Sequence, residues 1–240
     1  MKSDSTSGQV IYLPKRKKSY ARLNVPNSGN ATLTDVLPRA PFDPSGTGFV
    51  LARLTPSERP VLWVQDRNSR QENGHLYTPG LHAMGLTQPV LHVTVSHPRD
   101  VLWAMEEGAA CAGLSAVVGE IHGAPAVLSF TATKRLALRA EAADVPVWLI
   151  RSGDPGTLSA ARERWRIGAL ASEAHPHDPQ APGAARWDVS LFRARGRAPG
   201  RWVGHHDPLA SNATDRLRLV SRSRDGAVAS DDQQISDSAR

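Results

Sequence analysis

The sequence predicts an α/β fold: a mostly parallel sheet with flanking helices and a β-hairpin extension near the carboxyl end. Three apolar runs, at 61–64, 115–118 and 145–150, are separated by helix-like stretches, which is the pattern of buried parallel strands joined by crossover helices. This pattern is typical of nucleotide-binding enzymes. However, residues 41–50, upstream of the first run, read PFDPSGTGFV and contain no GxxxxGK[ST] phosphate-binding motif. The sequence therefore predicts the scaffold without the phosphate chemistry.

Length and composition narrow the class further. A chain of 240 residues is long enough for one substantial α/β domain. Its single cysteine, Cys111, has no intramolecular partner for a disulfide, and no uncharged apolar stretch reaches the ~20 residues of a membrane span. We therefore expect a cytoplasmic protein that does not cross a membrane. The net charge of +6 favours polyanionic partners but does not by itself identify one.

The amino-terminal region, residues 1–45, is polar and predicted to be a flexible basic arm. It contains a run of four basic residues, Lys15, Arg16, Lys17 and Lys18. In a flexible arm such a run is able to hold a nucleic-acid backbone without reading its sequence. A solubilising tail is the alternative, and the sequence leaves open whether a first core strand is present.

Residues 46–170 form the predicted core, in which helical and strand patterns alternate. Short apolar runs after turn residues indicate the strands, and amphipathic periods indicate the helices. In chain order we expect a helix at 46–54, a strand at 60–66, a helix at 77–85, a strand at 89–95, a helix from Pro98, a strand at 115–118, a helix at 131–143, a strand at 145–150, and a helix running into a strand at 158–167.

The helix that begins at Pro98 contains the first candidate partner residue. Its apolar stripe is formed by Val101, Met105 and Ala109, and Trp103 falls on the opposite side of the helix. We predict that Trp103 contacts a partner. The alternative is that another loop of the same chain covers it, since large aromatic side chains are usually buried at least in part.

Glu120 is the best single candidate for a carboxylate that acts on a ligand. It follows the strand at 115–118, and ligands of open α/β sheets bind beyond the carboxyl ends of the strands. Catalysis there also needs a phosphate cradle and a second acidic or hydroxyl ligand, and the sequence supplies neither nearby. We therefore expect a structural or interface role for Glu120, and we assign no catalytic residue and no cofactor.

Residues 171–229 are predicted to be a linker followed by a β-hairpin, and 230–240 a disordered tail. The hairpin strands are expected at 187–192 and 201–205, with another strand at 217–220. An acidic partner or a phosphate is expected to dock on the residues crowding the turn, which are Arg193, Arg195, Arg197, Arg201 and Trp202. The histidine clusters at 175–178 and 205–207 lack zinc-site spacing, so we expect no metal.

Most of the chain after about residue 45 resembles the ImuA proteins of bacterial mutagenesis cassettes. The segments that resemble this family are PVLWVQDR (60–67), YTPGLHAMGL (77–86), DVLWAMEEG (100–108), LSAVVGEIHG (114–123), LSFTATKRLALRAEAADVPVWLIR (128–151), SAARERWRI (159–167), HPHDPQAPGAARWDVSLFRARGRAPGRWV (175–203) and DRLRLVSRSRDGAVA (215–229).

ImuA proteins are themselves similar to RecA, so the resemblance implies a RecA-like ATPase fold reduced to its central sheet. By similarity, the strand at 61–66 leads to the place of a catalytic glutamate, where this chain has Asp66 or Arg67. The strand at 116–120 takes the place of the Walker B strand, with Gly119 where an aspartate is expected. The resemblance therefore implies a degenerate nucleotide site and leaves ATP binding open.

The resemblance implies a role in the SOS response. ImuA acts there with ImuB, an inactive polymerase-like protein, and with an error-prone DnaE-type polymerase, and RecA is a further candidate partner. The leading hypothesis is a non-catalytic adaptor for translesion synthesis. One alternative is an ATP-binding RecA modulator or an ATPase with an unconventional phosphate site. The other is a sequence-independent DNA-binding module that uses Lys15 to Lys18.

Overall fold

The computed structural model describes residues 31–207, 209, 210 and 213–221. Strands and helices alternate in the first part of the chain, and strands predominate in the second. In chain order the elements are β1 (Leu33–Pro38), α1 (Ser45–Arg53), β2 (Val61–Asp66), α2 (Arg67–Asn73), α3 (Thr78–Ala83), β3 (Val90–Val95), α4 (Pro98–Ala109), β4 (Ala116–His122), α5 (Phe130–Ala143), β5 (Val147–Ser152), β6 (Glu163–Leu170), β7 (Arg186–Ala194), β8 (Gly200–His206), α6 (Ala213–Arg216) and β9 (Leu217–Ser221).

The nine strands of the described residues form one sheet in the order β3-β2-β4-β5-β1-β6-β7-β8-β9. The pairs from β3 to β6 are parallel, and those from β6 to β9 are antiparallel. The predicted α/β class, with a mostly parallel sheet and a carboxyl-terminal hairpin, is confirmed. Within the described residues, no helix has the length and apolar character to cross a bilayer.

Strand β1 corrects the prediction that residues 1–45 form a flexible arm. Residues 33–38 lie at the centre of the sheet, paired with β5 on one side and β6 on the other, and every residue of the strand is buried. The first core strand is therefore present. Its sequence, LTDVLP, is interrupted by the polar residues Thr34 and Asp35, so it lacks the continuous apolar run that predicts a buried parallel strand. The amino-terminal part of the predicted arm, residues 1–30, lies outside the described residues.

The sheet has a hydrophobic core on each face. On the helical face, α4 and α5 cover the parallel strands, with residues such as Met105, Leu136 and Leu149 in contact. The core on the opposite face, called here the tryptophan face, contains Trp63, Trp148, Trp165 and Trp187 together with Phe49 of α1. This second core extends from β2 to Leu219 of β9, so the antiparallel strands share it with the parallel ones.

The carboxyl-terminal strands match the sequence prediction, but the segment before them does not. The hairpin of β7 and β8 and the following β9 lie where alternation placed them. The helix predicted to run into a strand at 158–167 is wrong, because residues 158–162 are not helical and β6 begins at Glu163. Leu158 is exposed rather than on an apolar stripe, and the backbone N–H of Arg162 donates to the Leu33 carbonyl, so this segment already follows β1.

Candidate ligand cleft and partner surfaces

A cleft of about 740 Å³ opens at the carboxyl ends of the parallel strands, on the tryptophan face. The loop after β1 forms one wall, and α2 with α3 forms the other, with apolar side chains such as Leu51 and Trp187 between them. This is the position where open α/β sheets bind their ligands. Among the described residues lining the cleft there is no lysine, and its basic side chains are His75 and Arg186.

The loop between β1 and α1 stands where a phosphate-binding loop is expected, but its own carboxylate occupies the helix start. Asp43 accepts a hydrogen bond from the backbone N–H of Ser45, the first residue of α1, at 2.9 Å. Its second oxygen accepts from the N–H of Ala169 at the end of β6, at 3.0 Å. The amino end of a helix attracts anions through its free N–H groups and dipole. Asp43 therefore provides the negative charge that a bound phosphate would supply.

The same loop packs closely against β1. Residues 39–44 separate β1 from α1, and a Cβ atom on Gly46 would lie 2.8 Å from Cγ of Pro38. Phe42 lies over the strand ends, stacked at 6.3 Å between ring centroids on His122 of β4. Aromatic and carboxylate side chains thus occupy the edge at which backbone amides would cradle a phosphate.

Glu120 lies inside β4 and forms the floor of the cleft. It is 1% exposed, and both carboxyl oxygens accept hydrogen bonds. The indole N–H of Trp63 donates to Oε1 at 2.7 Å, and the amides of Gln65 and Asn73 donate to Oε2 at 3.1 Å and 3.2 Å. Asn73 also reaches the Ser152 hydroxyl at 3.4 Å, which links Glu120 to the end of β5. Glu120 thus ties together β2, β4, β5 and the end of α2.

Burial raises the pKa of Glu120 above its ordinary value, and the nearby Asp66 acts in the same direction. The hydrogen bonds from Gln65, Trp63 and Asn73 oppose this rise. The amide orientation of Gln65 is fixed by His92, whose Nε2 lies 2.9 Å from the Gln65 oxygen and acts as the donor. With its acceptor positions filled by protein donors, Glu120 is arranged as a structural carboxyl and not as a base directed at a water molecule.

Gly119, which the resemblance aligns with a Walker B aspartate, has no room for a side chain. A Cβ atom there would lie 2.1 Å from the sulfur of Met105 in α4. Adjacent strand residues point to opposite faces, so position 119 faces the helical core while Glu120 faces the cleft. A carboxylate at position 119 would therefore be buried against Met105, away from any ligand in the cleft.

The candidate partner residues form two separate surfaces. Trp103 is 65% exposed on α4, beside a groove that also contains Val127, in the loop before α5, and Arg135 of α5. Arg193, Arg195 and Arg201 are exposed on and around the β7–β8 hairpin. Helix α4, which carries Trp103, packs over β2 and β4, whereas the arginines lie on and around β7 and β8. Four strand spacings of about 4.8 Å separate β4 from β7, so the structure does not bring the two sets together.

Two of the hairpin candidates also pack inside the fold. Arg197 forms an ion pair with Glu163 at 2.8 Å and lies 5.0 Å from the Trp165 ring centroid. Trp202 is half-buried, with its ring centroid 6.0 Å from that of Trp165. These internal contacts reduce the surface that both residues offer to a partner. Lys15, Arg16, Lys17 and Lys18 lie outside the described residues, and their proposed contact with nucleic acid stays a prediction.

Sequence reasoning missed Asp43, Phe42 and the three hydrogen-bond donors around Glu120. Asp43 had a local signal, because an aspartate followed by Pro-Ser is typical of a helix start. The donors Trp63 and Gln65 had none, since the alternation of β2 shows which face a side chain occupies but not its polar partner on another strand. Asn73 had none either, because it reaches Glu120 from the end of α2.

The fold and the cleft define an α/β protein with a mostly parallel sheet, in which the protein's own carboxylate and aromatic side chains border the cleft at the strand ends. No protein-family model matches the chain. Two relatives, each called Protein ImuA and found in two strains of Caulobacter vibrioides, are each 32% identical to it over 180 residues. The match covers 70% of this chain and 69% of each relative. The chain belongs to the ImuA family.

Proposed function

We propose that this chain is a non-catalytic accessory protein of SOS-induced translesion DNA synthesis in the cytoplasm. It assembles with an ImuB-type protein and an error-prone DnaE-type polymerase, and RecA is a further candidate partner. Membership of the ImuA family supports a place in the mutagenesis cassette. The geometry of the strand ends supports assembly rather than catalysis as the mode of action.

The observation that carries this proposal is the position of Asp43. Its carboxylate accepts a backbone N–H at the start of α1, where a nucleotide enzyme places a phosphate. A triphosphate bound at the same place would meet like charge, and no lysine lies among the described residues that line the cleft. Loss of phosphate binding leaves the scaffold free to act through its surfaces.

The exposed side chain of Trp103 is the best candidate contact for the ImuB-type protein. Tryptophan is enriched among the residues that dominate binding energy at protein interfaces. Its indole is largely exposed on α4, beside a groove lined by both apolar and charged side chains. The exposed arginines Arg193, Arg195 and Arg201 offer a second surface, suited to an acidic partner.

Co-purification of the full chain with the ImuB-type protein tests this proposal. We expect Trp103→Ala to weaken the complex by at least tenfold in Kd, which corresponds to about 1.4 kcal/mol. The matched control is Leu158→Ala, which truncates another strongly exposed apolar side chain elsewhere on the chain. A second variant combines Arg193→Glu with Arg195→Glu. If neither this double variant nor Trp103→Ala changes the affinity of the complex, the proposed surfaces are wrong.

The size of the cleft favours a second candidate function, an ATP-binding modulator with an unconventional phosphate site. Equilibrium dialysis of the purified chain against labelled ATP and Mg²⁺ separates the two functions. The adaptor proposal expects no saturable binding. Saturable binding that is lost in Glu120→Ala, while that variant keeps its circular dichroism spectrum, would establish the second function and overturn the first.

A further inference from the structure

Among the described residues, no helix covers one face of the antiparallel half of the sheet. On β7 and β9, Val189, Leu191 and Leu219 point to the tryptophan face and are buried. The neighbouring strand residues point to the opposite face, and two of them, Ser190 and Val220, are partly exposed. This side of β6–β9 is called here the open face. The helices α4 and α5 pack on β1 to β5, so within the described chain they do not cover it.

Arginines line the open face. Arg166 of β6, Ser190 of β7 and Arg201 of β8 form one cross-strand row, so the two arginines lie about two strand spacings, or ~10 Å, apart. Arg218 of β9 is exposed on the same face. Arg39, from the loop after β1, lies across Gly168, where a Cβ atom would come within 2.5 Å of the arginine Cδ. The absence of a side chain at position 168 lets Arg39 lie flat on the sheet.

The positive charge of this face exceeds the negative charge beside it. Asp188 on β7 contacts both Arg39, at 3.0 Å, and Arg201, at 3.8 Å. Glu173 accepts from Nδ1 of His205 at the end of the face. Arg166 is held out along the surface by the Phe192 ring, with its guanidinium carbon 5.0 Å from the ring centroid. A guanidinium stacked on a ring keeps its N–H edges free for phosphate oxygens.

We propose that the open face binds the phosphodiester backbone of single-stranded nucleic acid. A broad sheet surface with spaced arginines and without a protruding helix suits a flexible single strand better than a duplex groove. Contacts of this kind involve phosphates and not base edges, so binding is independent of sequence and weakens steeply with salt. The site is distinct from the basic run at 15–18 and from the Trp103 surface, and it shares Arg201 with the surface proposed for an acidic partner.

Fluorescence anisotropy with a labelled oligothymidylate of about 20 nucleotides tests this site on the full chain. The test variant combines Arg166→Glu, Arg201→Glu and Arg218→Glu. The control variant makes the same change of net charge on α4 and α5, with Arg99→Glu, Lys134→Glu and Arg139→Glu, all exposed positions. We expect the test variant to lose affinity by at least about tenfold. The magnitude of the slope of log K against log salt should also fall by about 2, because each of the three lost phosphate contacts contributes ~0.7 to it.

Each other outcome overturns the proposal. Equal losses in the two variants would show that net charge alone drives binding. An unaffected test variant, with binding abolished by removal of residues 1–30, would assign the contact to the amino-terminal region. Undetectable binding by the unmodified chain at low salt, or tighter binding of a duplex of equal length, would also contradict it. A milder variant, Arg166→Gln with Arg218→Gln, preserves the Arg201–Asp188 contact and repeats the test if the triple change impairs folding.

Discussion

At the scale of single residues, Glu120 shows how a position suited to catalysis serves a structural role. It lies in a strand at the floor of the cleft, where a carboxylate able to reach a ligand is expected. Its environment directs it inward instead, because Trp63, Gln65 and Asn73 supply donors to both oxygens. Glu120, the best single candidate for chemistry in the sequence, is therefore the residue that joins the strands beneath the cleft.

Replacement of Glu120 by glutamine tests this structural role. The amide has one acceptor oxygen in place of two, so an –NH₂ group must face either Trp63 or the amides of Gln65 and Asn73. We expect Glu120→Gln to lower the free energy of unfolding by about 1–3 kcal/mol in mildly acidic buffer, because the substitution leaves a buried donor without a partner. Urea denaturation followed by circular dichroism measures the loss.

The pH dependence of this loss has a definite sign. Burial raises the folded-state pKa of Glu120 above the ordinary value of 4.5, so the stability contributed by its protonated form is complete below that pH. That contribution is lost as the pH rises through the folded-state pKa, whereas glutamine has no proton to lose. The difference in unfolding free energy between wild type and Glu120→Gln should therefore narrow as the pH increases. A difference that widens with pH would contradict this account.

At the scale of elements, β1 shows what the sequence reveals and what it hides. The apolar runs of β2, β4 and β5 and the alternation of β7 and β8 identify these strands, because each buries side chains in a regular pattern. Strand β1 contains Asp35, whose charge argues against a central strand in any local reading. Asp35 is matched by Arg151 and Arg164, which lie 116 and 129 residues further along the chain. No local pattern reports such distant partners.

Asp35 forms the centre of a buried ionic network across three strands. Its Oδ2 accepts from Arg151 of β5 at 2.8 Å and from Arg164 of β6 at 3.0 Å, and all three side chains are almost fully buried. Arg151 also pairs with Asp154, which in turn accepts backbone N–H groups of Gly156 and Thr157. The network lies on the helical face of the sheet, where Thr157 of the loop after β5 accepts from Arg164 and donates its N–H to Asp154.

Removal of the Asp35 charge should destabilise the protein strongly. In Asp35→Asn, two buried guanidinium groups share one remaining carboxylate, and we expect a loss of about 3–5 kcal/mol in the free energy of unfolding. Glu141→Gln is the matched control, because it breaks the partly exposed pair with Arg162 and should cost less than about 1 kcal/mol. Urea denaturation at neutral pH measures the free energy of unfolding of both variants. Equal losses of this free energy would show that the buried network stabilises the protein no more than a surface ion pair does.

At the scale of the whole molecule, the hairpin region is continuous with the parallel sheet. Strand β6 pairs with β1 in parallel and with β7 in the antiparallel sense, which makes it the junction of the two halves. Trp165 on β6 packs against Phe49 of α1 at 5.3 Å and against Trp202 of β8 at 6.0 Å between ring centroids. The sequence predicts a boundary near residue 170, since the Pro-rich stretch at 175–183 resembles a linker. That boundary lies between strands that share one hydrophobic core.

Shared burial across this junction should make unfolding a single cooperative step. Leu136 of α5 and Leu219 of β9 are both buried, one in each half of the sheet and on opposite faces. We expect Leu136→Ala and Leu219→Ala each to cost about 2–5 kcal/mol and to shift one common transition, because a cavity in either half weakens the same folded state. Far-UV circular dichroism and tryptophan fluorescence should report coincident urea midpoints in both variants. Two separated steps, or a Leu219→Ala change that moves only one of the probes, would show instead that β7–β9 fold as an independent unit.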